Sequence, residues 1–123
     1  MRESVLWYHG SPFMLTSLRE GSTVTRNRDL ARVFSHKPLC VLMEDDGRLR
    51  HNGSAGGYLY VVDEAIGDRD VYPHPATTMD KELEWLTKRE LRVKLIGQTD
   101  VRDEERLSEN EIRALIRTYD QTQ

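Results

Sequence analysis

The sequence predicts an α+β fold, on three observations. Short runs rich in Val, Leu and aromatic residues outnumber helical patterns, strands and helices alternate irregularly, and the best-punctuated helix stands last in the chain. Residues 1–123 read as a single domain, with no linker, repeat or low-complexity tract.

Val5-Leu6-Trp7-Tyr8-His9 is a β-prone run that Gly10-Ser11-Pro12 is expected to stop as a turn. Leu15 and Leu18, spaced i, i+3, predict a helical turn, and Ser22 to Thr25 predict a short strand. Leu30, Val33 and Phe34 fall at i, i+3, i+4 and predict a helix that Asn27 caps and Pro38 ends. Cys40 to Met43 and Arg48 to Arg50 predict the two arms of a hairpin about Asp45-Asp46-Gly47. A glycine-rich loop over 52–57 leads into Tyr58 to Val62, the clearest strand in the chain. Residues 63–81 carry prolines at 73 and 75 and predict a loop of roughly twenty residues, a length that points to function. Glu84-Trp85-Leu86, and then Leu91, Val93 and Leu95, predict two further strands. Ser108 and Glu111 form a capping box and Leu107 can staple onto Ile112, so a C-terminal helix is expected over 107–119 with Ile112, Leu115 and Ile116 on one face.

Composition narrows the function. Lys and Arg number 18 against 21 Asp and Glu, a net charge of −3, which argues against non-specific nucleic-acid binding through a basic surface. The longest apolar run, around Leu39 to Met43, is too short to span a bilayer, and the N-terminus lacks the pattern of a signal peptide. Cys40 is the one cysteine and can form no intramolecular disulfide. The expectation is a cytoplasmic protein with no membrane association and no disulfide-linked partner.

Two places can carry chemistry. In Tyr8-His9-Gly10-Ser11, an imidazole at a strand end stands beside a backbone that glycine leaves bare, a pair able to grip an amide or a ribose hydroxyl. The plainer reading is a histidine satisfied by a neighbouring carbonyl. In Glu82-Leu83-Glu84-Trp85, two carboxylates share one face of a strand and can stabilise an oxocarbenium-like transition state, although such acids are more often a solvated face. His36, His51 and His74 show no metal-ligand spacing with one another or with His9, and the acidic run from Asp63 to Asp70 matches no calcium loop, so no metal is expected. Walker, dinucleotide and nucleophile-elbow motifs are absent.

Tyr8-His9-Gly10-Ser11, the strand-then-helix unit Thr23 to Phe34, Gly57-Tyr58-Leu59-Tyr60-Val61-Val62, Glu84-Trp85 and the strand Leu91 to Ile96 follow one another in an order that resembles the ADP-ribosyltransferase family. The chain is most similar to the small bacterial, diphtheria-toxin-like branch that includes rifampin ADP-ribosyltransferase, over roughly residues 5–98. The resemblance implies a split β-sheet with short flanking helices and a central cleft for NAD, the co-substrate. It implies that His9 bonds a ribose hydroxyl and that the Gly10 backbone holds the nicotinamide amide. Ser11, Thr23, Phe34 and Tyr60 complete the implied cofactor site. Glu84 is the implied acid that steadies the ribosyl cation, with Asp68 and Asp70 as the alternative that rifampin-modifying members suggest. Glu82 is a further alternative, since Glu82-x-Glu84 resembles the paired acids of the arginine-modifying branch. The family tyrosine of the second motif strand is replaced by Thr23 or Thr25, and Phe34 is the ring offered instead.

The activity so implied is cleavage of the nicotinamide–ribose bond and transfer of ADP-ribose to a protein, nucleic-acid or small-molecule acceptor, or to water. Two alternatives stand beside it. An RNA 2′-phosphotransferase of the same fold calls for a second histidine, which His36 is poorly placed to supply. A catalytically degenerate module that binds a nucleotide or a protein is favoured by the missing tyrosine.

Overall fold

Antiparallel pairing organises the computed structural model, which describes residues 6–75, 77 and 83–121. The strands are β1 (Tyr8–Ser11), β2 (Ser17–Leu18), β3 (Thr23–Val24), β4 (Val41–Met43), β5 (Leu49–His51), β6 (Gly57–Val62), β7 (Val71–Pro73), β8 (Trp85–Thr87) and β9 (Leu91–Thr99). Helix α1 (Arg28–Phe34) follows β3, and α2 (Glu109–Gln121) ends the described chain after a 3-10 turn at Asp103–Glu105. Four strands form one sheet in the order β1-β6-β9-β2, three form a second as β3-β8-β7, and β4-β5 is a separate hairpin. A backbone bridge from Tyr8 to Thr25 stitches the two larger sheets together. The class is α+β, as expected.

Two apolar clusters hold these layers. Trp7, Leu18, Val24, Tyr60, Val62, Val71, Leu91 and Val93 form one cluster among the larger sheets, whereas Leu30 and Val33 of α1 pack with Leu49 of β5. The Asn27 side chain accepts the Leu30 N–H at 3.1 Å and caps α1 as its sequence predicts. The Ser108–Glu111 capping box also forms, with Glu111 N–H to Ser108 Oγ at 3.1 Å and Ser108 N–H to Glu111 Oε1 at 3.0 Å. Arg50 of β5 grips the Glu111 carboxylate with both terminal nitrogens and, with the Ser108 amide, holds it down to about 2.

Four expectations are corrected. Gly10-Ser11 does not end the first strand, because both residues pair with β6 opposite Leu59 and Tyr58. Leu15–Leu18 is no helical turn. Ser17 and Leu18 pair with Arg92 and Leu91, so sheet closure overrides a two-residue helical spacing. The long loop after β6 is interrupted by β7, which pairs with β8 through Val71 to Pro73. The apolar alternation of Leu91, Val93 and Leu95 with Arg92 and Lys94 does not keep Leu95 buried: Leu59 faces Gly97 and Tyr60 faces Leu95, leaving Ile96 as an extra, bulged residue in β9.

The last turn of α1 sits almost on the sheet. A Cβ on Gly10 would lie 1.8 Å from the Ala31 carbonyl oxygen, one on Gly57 would lie 2.6 Å from the Ser35 carbonyl oxygen, and one on Gly53 would lie 2.6 Å from that of His36. Gly10 of β1 and two glycines of the loop leading into β6 therefore form a seat that no side chain can share. Gly57→Ala is expected to cost about 1–3 kcal/mol by overpacking against backbone that cannot yield. Gly97→Ala, where an added Cβ meets nothing within 4 Å, should stay within about 0.5 kcal/mol of the wild type. Urea denaturation of the two variants checks the contrast, and equal effects would show that the seat does not hold α1.

Candidate functional site

β1, β3, the C-terminal half of α1 and the start of β8 enclose a cleft of about 280 Å³, lined by Tyr8, His9, Gly10, Thr23, Thr25, Ala31, Phe34, Lys37, Pro38 and Glu84. Five residues selected from the sequence (His9, Gly10, Thr23, Phe34 and Glu84) thus meet although they come from four separated stretches of chain. β1 and β3 are brought edge to edge by the Tyr8–Thr25 bridge, which places His9 beside Thr23. Glu84 arrives on the segment entering β8, where its carbonyl accepts the His74 N–H at 3.0 Å and Trp85 pairs with Val24. Trp85 then meets Trp7 edge to face, with centroids 5.4 Å apart, and Arg26 lies over both rings.

The His9 ring has a defined orientation. Its Nδ1 lies 2.6 Å from the Thr23 carbonyl oxygen, which can only accept, so Nδ1 carries the proton. Burial lowers the pKa of this imidazole, against the opposing pull of the Thr23 carbonyl, and favours the neutral ring. Nε2 is then an acceptor suited to a ligand hydroxyl. The plainer sequence reading, a histidine satisfied by a carbonyl, therefore holds for one nitrogen and leaves the other free for chemistry. Gly10 has a different reason from the expected one: the space beside its Cα is filled by α1, and only its backbone borders the cleft.

Other selected residues lie elsewhere. Tyr60 is buried in the core and does not line the cleft; its hydroxyl donates to the Phe13 carbonyl and accepts the Leu15 N–H, both at 2.8 Å. Ser11 is buried and accepts the Phe13 N–H at 3.1 Å, stabilising the turn after β1. Asp70 is bonded to Arg89 and to the Gly67 amide, which lower its pKa, and Asp68 is exposed; neither lines the cleft. Glu82 lies outside the described residues. Of the other lining residues, Tyr8 belongs to the opening sequence motif and Thr25 is the alternative to Thr23, whereas Ala31, Lys37 and Pro38 carry no sequence signal for a site.

No family model, curated protein or solved structure matches the chain. Two larger grooves, of about 450 and 460 Å³, flank the opposite side of α1. Several of their charged groups are already committed: Arg32 pairs with Asp29 and Glu105, and Arg50 with Glu44 and Glu111. The smaller cleft is the one that gathers the sequence-selected His9, Gly10 and Glu84.

Beneath α1 lies a buried polar cluster that sequence spacing did not reveal. His36 and His51 stack with centroids 5.4 Å apart, and one nitrogen of each lies within 4.8 Å of the other and of a Glu105 oxygen. This proximity could hold a metal ion, in contrast to the reading from sequence spacing. The hydrogen bonds assign the protons, however. His51 Nδ1 accepts the Gly53 N–H at 3.0 Å, so the neutral ring carries its proton on Nε2, which faces Glu105 at 3.4 Å. A cation there would have to displace that proton and share Glu105 with the Arg32 guanidinium, which grips it with two nitrogens. His36 Nδ1 donates to the Ala55 carbonyl at 2.7 Å, and its Nε2 has no hydrogen-bond partner among the described residues.

Burial alone would raise the Glu105 carboxyl, but the Arg32 bonds and charge outweigh it and hold it below the usual range. Burial lowers His51 against the pull of Glu105. The unfolded chain takes up protons on His9 and His51 near the ordinary histidine value of 6.5, while the folded chain resists them. Their contribution is thus complete above that value and falls as the pH drops below it. The Glu105 contribution is present above its unfolded value of 4.5 and is lost as the pH falls through its lower folded value. The urea midpoint is accordingly expected to fall from about pH 7 to about pH 5 and to fall further below about pH 4. A midpoint that stays level over that range would contradict the assigned protonation states.

Proposed function

We propose that the cleft binds the nicotinamide–ribose half of NAD and that the protein transfers ADP-ribose to an acceptor. One observation carries this reading: Glu84 reaches the same cleft as His9 and Gly10 although β2 to β7 intervene in the sequence. The arrangement of two larger antiparallel sheets with the cleft beside their junction is compatible with a split-sheet ADP-ribosyltransferase architecture.

Each residue then has a physical task. Neutral His9 accepts a hydrogen bond from a ribose hydroxyl through Nε2, since Nδ1 is committed to Thr23. The backbone of Gly10 offers its polar groups to the nicotinamide amide. Tyr8 and Phe34 supply the two six-membered rings lining the cleft and offer an apolar face to the pyridinium, Phe34 standing in for the absent tyrosine. As the glycosidic bond breaks, positive charge grows on the ribose, and the Glu84 carboxylate stabilises it more strongly in the transition state than in the ground state. An RNA 2′-phosphotransferase reading is disfavoured, because His36 is buried beneath the glycine seat and stacked on His51.

Release of nicotinamide from labelled NAD, with and without cell extract, tests the reaction. Glu84→Gln keeps the shape and removes the charge, and should slow release by about 10²-fold or more while NAD affinity changes little. NAD should raise the melting temperature of the wild type, and His9→Ala should abolish that rise. Normal cleavage by Glu84→Gln together with loss in Asp70→Asn would move the catalytic acid to the loop. Binding of NAD without nicotinamide release under either condition would favour the degenerate binding module.

A further inference from the structure

Lys37 is the one non-glycine among the described residues with a left-handed backbone, at φ 53°. It follows the last turn of α1, where His36 N–H bonds the Val33 carbonyl and Lys37 N–H bonds that of Phe34. Glycine is the usual solution at such a position, because a side chain there crowds the backbone. Lysine therefore carries a conformational cost. Its side chain does not recover that cost by burial, since the residue is exposed and its ammonium rests 5.1 Å from the centroid of the exposed Phe13 ring. Strain retained at a cleft is a reason to look for a function.

The position of Lys37 supplies one. Among the residues lining the cleft it is the single permanent cation, and it makes no ion pair with any described residue. A cavity of about 280 Å³ lies at the small end of ligand sites; it suits a nicotinamide ring with its ribose but not an entire dinucleotide. The phosphates of such a ligand must leave through the rim, where an ammonium on a long, mobile stem can meet them.

The geometry points to Lys37 as the pyrophosphate-binding residue of the cleft, held in a strained backbone so that its ammonium stands at the rim. This inference rests on the NAD reading of the same cleft and deepens it by assigning the anionic part of the ligand. The exposed Phe13 ring is the resting place of the ammonium, and the buried Tyr60 hydroxyl holds the backbone that carries it by bonding the Phe13 carbonyl and the Leu15 N–H.

The test compares the wild type, Lys37→Gly and Lys37→Arg in urea denaturation and in calorimetric titrations with NAD, nicotinamide riboside and inorganic pyrophosphate. Lys37→Gly relieves the strain and removes the charge, so its urea midpoint should rise while its NAD affinity falls about tenfold or more. Affinity for the riboside, which has no phosphate, should not change. Lys37→Arg keeps the charge and should retain most of the NAD affinity. Unchanged NAD affinity in Lys37→Gly, or an equal loss for the riboside, would overturn the assignment. If the wild type binds neither NAD nor the riboside, the NAD reading fails by itself and pyrophosphate decides the anion site. Saturable pyrophosphate binding that disappears in Lys37→Gly would support it, and no binding to the wild type would overturn it.

Discussion

The close seating of the last turn of α1 on Gly10, Gly53 and Gly57 is the constraint on which the rest of the molecule depends. Helices usually meet their neighbours through side chains, but here backbone approaches backbone, and carbonyls and amides are carried into the interior with it. Each must then find a partner. Ser35 answers this by bonding the Arg32 carbonyl and, at 2.6 Å, Thr99 Oγ1, while His36 bonds the Ala55 carbonyl. The glycine loop exists to wrap this turn, and its Gly53 amide is in turn taken up by His51.

That seat also divides the chemistry of the two flanks of α1. On one flank Arg32, Glu105 and His51 form a buried chain of hydrogen bonds that ties α1 to β5 and to the 3-10 turn. Such a network adds little net stability relative to an apolar replacement, yet removing one member leaves an unpaired buried charge, so it penalises wrong packing strongly. On the other flank Ala31 presents only a methyl group, and the space it leaves becomes the cleft. The adjacent residues Ala31 and Arg32, facing different flanks of one short helix, thus separate an open site from a closed polar strut.

Much of this was legible where the signal is local. The Asn27 cap, the β4–β5 hairpin, the β6 strand and the Ser108–Glu111 box each depend on residues a few positions apart, and each forms. β2 was misread because Leu18, spaced from Leu15 as in a helix, is instead captured with Ser17 by β9, a partner far along the chain. The bulge at Ile96 is invisible for the same reason: it is a mismatch of lengths between β6 and β9, not a property of either alone. In the cleft, His9, Gly10, Thr23, Phe34 and Glu84 were legible as a set, whereas Tyr60 and Ser11 were drawn away by motif proximity. Tyr60 lies opposite His9 in the β1–β6 ladder, yet its hydroxyl is spent on the turn after β1. The His36–His51–Glu105 cluster escaped entirely, since ligand spacing in sequence has no bearing on groups gathered from a helix end, a hairpin and a 3-10 turn.

The cleft and its scaffold meet in His9. An imidazole serves as a fixed acceptor only if its other nitrogen is tied, its ring is kept neutral and its strand cannot shift. The Thr23 carbonyl provides the first and burial the second. The third comes from Gly10, the next residue, locked under Ala31 so closely that β1 has no room to move toward the helix. Glycine at this position therefore acts by fixing the strand rather than by making it pliable, and a rigid acceptor costs little to organise when a ligand arrives. On the proposed reading, the same rigidity holds His9 and Glu84 at a constant separation across the cleft while charge grows on the ribose between them.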